Sequence, residues 1–220
     1  SSDELKETRT FLRFALNIHR ANHASEAKRR ELLQELINTH TLNQPTDIYD
    51  QAVLLHSICT MLSRTGSDAM LTRYVDKLDT LIQQLPASAI SLHNAYYVHA
   101  ALIYSQANQF EKAYQCDRKT LEAIRQLEKQ YKDRGRYFRN YDSSRYVIYQ
   151  RILSNHTKLS QPELEKYYKL AMQLVAKNPE VAETNRNYPG PQIFYNMAIK
   201  NYAQALEHIK HCINTPYVTN

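Results

Sequence analysis

Glycine is nearly absent from this chain: Gly66, Gly135 and Gly190 are the only three among 220 residues. Each falls between stretches of helical periodicity. Hairpin turns of antiparallel sheets favour glycine, and phosphate-binding loops need it where the backbone approaches the ligand. The seven prolines, among them Pro45, Pro86, Pro162, Pro179 and Pro189, likewise avoid the interiors of periodic runs, as helices require. The expected class is all-α.

Other absences narrow the function. The three cysteines, Cys59, Cys116 and Cys212, are scattered. They offer no disulfide framework and no CxxC pair for zinc or redox chemistry. On the apolar faces of expected helices they read as buried thiols packing as small hydrophobes. That usage leaves the compartment open. No apolar run approaches the ~18 residues of a membrane span. Ser1-Ser2-Asp3-Glu4 lacks the basic-then-apolar layout of a signal peptide, and without an initial Met the chain is expected to be a piece of a longer protein. No GxSxG elbow, P-loop, dinucleotide glycine motif, kinase signature or HExxH occurs; these are the short motifs that carry common chemistries. No enzymatic activity, cofactor or metal is therefore expected.

What remains is helical periodicity. A helix over 3–21 is expected to use Leu5, Leu12, Ala15, Leu16 and Ile18 as its apolar side, with Phe11 and Phe14 adding bulk. A second, over 25–38, carries Leu32, Leu33, Leu36 and Ile37, and 39–45 reads as a loop. Thr46 is placed to cap the third helix, whose buried side is Ile48, Ala52, Leu55, Cys59 and Leu62. Leu71, Tyr74, Val75, Leu78 and Ile82 mark a returning helix that ends before Pro86. A helix over 143–158 follows later, and then Ser160-Gln161-Pro162-Glu163, which has capping-box spacing with proline in the first turn. The stretch 178–192 is the longest break, before a short helix at 193–199 and a last one at 202–214.

Residues 97–121 are the most regular part. Tyr97, Ala100, Ala101 and Tyr104 fall at i, i+3, i+4 and i+7, Asn108-Gln109 interrupts, and Phe110, Ala113, Cys116, Thr120, Leu121 and Ile124 resume the period. Small residues let two helices approach while aromatics fill the space between them. In Tyr97, Ala101, Tyr104, Asn108, Phe110 and Ala113 this stretch resembles a tetratricopeptide (TPR) repeat. Asn108 stands where that family usually has glycine, and Asp117 where it has a second-helix aromatic. Tyr168 with Ala171, and Tyr202 with Ala205, match later positions of the same pattern.

The resemblance implies an irregular TPR-like α-solenoid over 1–220, a single repeat domain of about ten helices in five hairpins. They are spaced about 40 to 45 residues apart, against ~34 in a regular repeat. A compact non-repeating helical bundle is the alternative fold. A TPR-like stack implies a concave face lined by the first helix of each pair, and hence a protein or peptide as partner. On the best repeat that face would comprise Ala95, Val98, His99, Leu102, Ser105 and Gln106. It lacks the Lys and Asn residues that clamp a terminal carboxylate in chaperone-binding members. In the next pair Arg145, Tyr146, Tyr149 and Gln150 are the candidates.

Charge concentrates in one place. Residues 129–151 hold seven basic and two acidic residues, a net +5 of the chain's +6. Arg136, Arg139, Arg145 and Arg151 alternate there with Tyr137, Phe138, Tyr141, Tyr146 and Tyr149. Arginine with aromatic rings suits an anionic ligand or single-stranded nucleic acid; the same pattern also describes tyrosines packed beneath solvated guanidinium groups. His19 with His23, and His208 with His211 and Cys212, have two-ligand spacing but no further ligand motif. Asn155-His156-Thr157 matches a glycosylation sequon within or at the end of an expected helix.

In its divergent repeats and Tyr- and Gln-rich composition the chain is similar to TPR-like sensor regions in regulators of Bacteroides-type bacteria. Those regions precede a membrane helix and a kinase or DNA-binding domain. The resemblance implies a periplasmic sensing or oligomerising module, with a second copy of the chain as a further partner. A free-standing intracellular adaptor and a nucleic-acid binder acting through 129–151 are the alternatives.

Overall fold

The computed structural model describes residues 2–65, 68–133, 141–155, 159–184 and 190–214. Eleven α-helices and no strand occur among them, so the chain is all-α. Contacts divide the chain into two compact units, Ser1–Gln130 and Tyr131–Asn220. No helix among the described residues is long and apolar enough to cross a membrane.

The first unit is built on its third helix. Helices α1 (Ser2–His23), α2 (Glu26–Leu42) and α4 (Asp68–Ile82) all pack against α3 (Ile48–Thr65). Every residue of α3 from Ala52 to Leu62 is buried, the signature of a helix enclosed on all sides. Its polar members survive there by bonding to their own backbone: Ser57 Oγ donates to the Val53 carbonyl at 2.8 Å and Thr60 Oγ1 to the His56 carbonyl at 2.7 Å, satisfying groups that water no longer reaches. α4 lies on α3 through Leu71, Val75, Leu78 and Ile82, spaced i, i+4, i+7, i+11. Each such buried aliphatic side chain contributes roughly 1.5–3 kcal/mol. Helices α5 (Ile90–Gln106) and α6 (Phe110–Asp133) complete the element order of this part of the chain.

Three local expectations are corrected here. α2 runs on to Leu42 rather than ending near 38, because Thr39 and Thr41 donate back to the Glu35 and Ile37 carbonyls at 2.9 and 2.8 Å. α3 is capped by Asp47 instead of Thr46: Asp47 Oδ1 accepts from the Tyr49 and Asp50 amides at 2.9 and 3.3 Å. Lys6, hydrogen-bonded to Asp47, is the main reason that carboxyl is held below its usual range. The third correction concerns which face of α1 is buried. Thr10, Phe14, Asn17 and Ala21 are interior, whereas Leu5, Leu12, Leu16 and Ile18 are exposed. Flat stacking of Phe14 on His56 (4.0 Å, 4°), a 3.5 Å bond from Asn17 to the Val53 carbonyl and the ion pairs of Lys6, Arg9 and Arg13 with Asp47 and Asp50 turn that face inward.

The second unit contains α7 (Asp142–Ser154), α8 (Gln161–Lys177), α9 (Glu180–Thr184), α10 (Pro191–Ala198) and α11 (Tyr202–Asn214). α7 packs on α8, α9 and α10, and α10 also on α8 and α11. The capping box of α8 forms as its spacing predicts, with the Ser160 amide and hydroxyl both donating to Glu163, at 3.0 and 2.7 Å. α9 occupies part of the stretch read as a break; it is five residues long, with Val181 buried. Cys59 and Cys116 are buried as expected but Cys212 is exposed.

Candidate interaction surface

The α5–α6 hairpin is positioned by its turn. α5 ends with the Asn108 amide bonded to the Ser105 carbonyl (3.1 Å) and the Gln109 amide to the Tyr104 carbonyl (2.8 Å), a Schellman closure that needs a left-handed residue. Asn108 supplies it at φ 57°, being among the few non-glycine residues that tolerate the region. Tyr97, Ala100, Ala101, Tyr104, Ala113, Cys116, Thr120 and Ile124 are all buried. Asp76 of α4 fastens the turn from outside: Tyr104 Oη donates to it at 2.7 Å and Lys112 Nζ at 2.8 Å, with Lys112 also 5.1 Å from the Tyr104 ring centre. Asp117, where the TPR pattern has an aromatic, is a fully buried carboxyl.

With that face of α5 turned inward, the other carries the residues singled out above. Val98, Leu102 and Gln106 are exposed, while Ala95, His99 and Ser105 are half-buried. α1 runs alongside: Glu7 accepts a hydrogen bond from the Ser91 backbone near the start of α5, and burial raises its carboxyl above the usual range. Two helical turns further along α1, Phe14 meets His56 of α3, whose ring lies 5.2 Å from that of His99. A turn further along both helices come Ile18 and Leu102, both exposed. The outer surface of α5 is thus apolar at its centre (Val98, Leu102), polar at its C-terminal end (Gln106) and bordered by an imidazole.

Those imidazoles are neutral. Burial, followed by the charge of Arg64, pushes His99 down to about 4. Burial, followed by the proximity of His99, holds His56 well below the usual histidine range. His56 Nε2 has no hydrogen-bond partner among the described residues, and its Nδ1 lies 3.5 Å from Thr60 Oγ1. The charged form has no compensating acceptor at Nε2.

The basic–aromatic stretch is arranged differently from the expected contact face. Tyr146, Tyr149 and Gln150 are buried, so as folded they are interior residues of the second unit, Tyr149 meeting the Tyr167 ring at 5.9 Å. Periodicity concealed this because tyrosine and glutamine are equally at home on a surface. Arg145 is half-buried and paired with Asp142 at 3.4 Å; Lys177 approaches the same carboxylate at 3.6 Å. Arg136 and Arg139 lie outside the described residues. His99, Leu102 and Gln106 therefore share one helix face, and Arg145, Tyr146, Tyr149 and Gln150 share another helix, mostly inward.

His19 and His23 are exposed with ring centres 4.3 Å apart. No group of three or more His, Cys, Asp or Glu side chains suited to a metal ion occurs among the described residues. Comparison with protein-family models, with curated proteins and with solved structures gives no match.

Proposed function

We propose that this chain is a non-catalytic, TPR-like helical-repeat module that holds a peptide or a partner protein against the outer face of α5. The observation that carries the reading is the pair of exposed apolar side chains Val98 and Leu102, one turn apart on a helix whose opposite side is wholly buried. Apolar anchors with a polar neighbour such as Gln106 are what a helix-lined groove offers to a peptide. The order Tyr97, Ala101, Tyr104, Asn108, Phe110, Ala113 and the closure of the α5–α6 turn support the repeat class. In this reading the module is the ligand-sensing or oligomerising part of a signal-transduction protein.

The alternative that 129–151 grips nucleic acid or another polyanion draws less support. Its tyrosines at 146 and 149 are interior, and Arg145 is engaged with Asp142. The test is selection of a displayed random-peptide library on the immobilised chain. Binders are expected to weaken at least tenfold against a Val98→Ser/Leu102→Ser variant, whose changes are at exposed positions and leave the fold intact by circular dichroism. Recovery of binders indifferent to that variant, or of none, removes the reading.

A further inference from the structure

The outward side of α1 repeats at coiled-coil spacing. Leu5, Leu12 and His19 are seven apart, and Leu16 and His23 fall four residues after Leu12 and His19. They make a seam of alternating d and a positions, with Arg9 in the remaining a position. The leucines are 75%, 61% and 45% exposed, unusual for three large aliphatic side chains on one stripe. The opposite side, Thr10, Phe14, Asn17 and Ala21, is buried in the first unit. One side of α1 is thus used by the chain itself, and the other presents a narrow apolar seam of the width that one partner helix covers.

We propose that this seam is a self-association surface, on which two copies of the chain pair through α1 as a parallel two-helix coiled coil. The charges argue for a second copy. Three of the cations around the seam are already paired within the chain: Lys6 with Asp47 at 3.1 Å, Arg9 with Asp50 at 3.9 Å, and Arg13 with Asp50. An acidic helix approaching here competes with Asp47 and Asp50 for each of them, while the same stripe of a second copy carries no carboxylate to compete. The same charges choose the orientation. Lys6, Arg13 and Arg20 occupy one flank of the seam, and Thr8, Ala15 and Asn22 the other. Parallel pairing sets each cationic flank against the neutral flank of its partner, whereas antiparallel pairing opposes cation to cation. Arg9 and the two histidines interrupt the leucines with polar layers, which fix register and weaken the pair, so a reversible dimer is expected rather than a permanent one.

The experiment is sedimentation equilibrium of the full chain from about 1 to 100 μM, a range that brackets micromolar affinity. It is run on the native sequence, on Leu12→Glu/Leu16→Glu and on Leu206→Glu, an exposed leucine of α11. All three substitutions are at exposed positions, and circular dichroism checks that each variant folds. A concentration-dependent dimer is expected for the native chain, with at least a tenfold rise in dissociation constant for the α1 variant and none for Leu206→Glu. A monomer throughout overturns the proposal, as does a dimer that ignores Leu12→Glu/Leu16→Glu or one broken by Leu206→Glu. Flotation with anionic phospholipid vesicles is run in parallel; native binding lost in the α1 variant, with no dimer in solution, makes the seam a lipid-facing surface and also overturns it.

Discussion

The two units of this chain hold their buried polar groups differently. In the first, the fully buried side chains are mostly aliphatic, with Ile58, Leu62, Leu78, Ile82, Leu92, Ile103 and Ile124 at the centre. The second buries Ile152 and Leu153 together with Tyr141, Tyr146, Tyr149 and Tyr167 and, among polar residues, Asp142, Gln150, Asn155 and Asn196. In the first unit the buried Ser57, Thr60 and Thr120 hydroxyls bond to their own helix's backbone, so these bonds survive small adjustments between helices. In the second, a buried carboxylate is paired across helices, and its loss strands the partner. Asp142 illustrates this: it is buried beside the N-terminus of α7, with Arg145 and Lys177 both drawn to it.

The largest expected effects probe this contrast directly. Ile58→Ala, at the centre of a helix enclosed on all sides, is expected to cost about 3–4 kcal/mol through lost burial and the cavity left behind. Asp142→Ala is expected to cost about 2 kcal/mol, since it removes hydrogen bonds to a charged group and leaves Arg145 half-buried without that carboxylate. Hydrogen exchange read segment by segment should place the first loss in 2–130 and the second in 141–214. Equal spread of either loss over both segments breaks the distinction.

Acid should separate the units next. His99 is held down to about 4 and His56 well below its usual range by burial. An unfolded chain takes up protons on these residues once the pH falls below about 6.5, while the folded one resists. The stability they support is therefore present above that pH and is lost as the pH drops toward 4. Between pH 7 and pH 5 the first unit is expected to lose about 1–2 kcal/mol for each histidine. Exchange protection in 48–106 should fall accordingly, and His56→Phe, which keeps the ring stack on Phe14, should flatten the dependence. A pH-independent first unit means that these imidazoles are open to water.

The smallest effect compares two turns that share one geometry. α10 closes onto α11 as α5 closes onto α6: the Lys200 amide bonds to the Met197 carbonyl at 3.1 Å, and the Asn201 amide to the Asn196 carbonyl at 2.8 Å. The left-handed residue is Lys200 at φ 61° in one and Asn108 at φ 57° in the other. Lysine has no local side-chain bond that favours this region, whereas asparagine does. Lys200→Gly is expected to stabilise by about 0.5–1 kcal/mol and Asn108→Gly by less, measured as shifts in urea midpoint. The reverse order breaks the parallel.

Much of the secondary structure was legible because it rests on short-range patterns. The Ser160–Glu163 box, the Asn108 break and the buried sides of α3, α4 and α6 follow from residues within a turn or two of each other. The errors about which faces are buried share a cause of the opposite kind. α1 has more leucine on its outer stripe than on its inner one, so counting apolar residues selects the wrong side; Phe14 and the pairing of Lys6, Arg9 and Arg13 with residues about 40 positions later decided it. The spacing of Thr10, Phe14, Asn17 and Ala21 was the available signal, masked by two polar members. On the candidate surface, Leu102 and Gln106 are exposed, while Tyr146, Tyr149 and Gln150 turned inward. An amphipathic side chain leaves its direction to its neighbours.

By itself, then, the sequence determined that this is a helical protein and where most of its helices start and stop. Scarce glycine, peripheral proline and 3.6-residue periodicity act within a few residues, and no distant contact is needed to read them. Only the tertiary structure decided which side of α1 is covered, that the 141–150 tyrosines and Gln150 belong to an interior, and that Val98 and Leu102 remain outside. Those outcomes depend on groups far apart in the chain meeting at a few ångströms, where a buried ring stack, a buried hydrogen bond and several ion pairs together outweigh a local surplus of leucine.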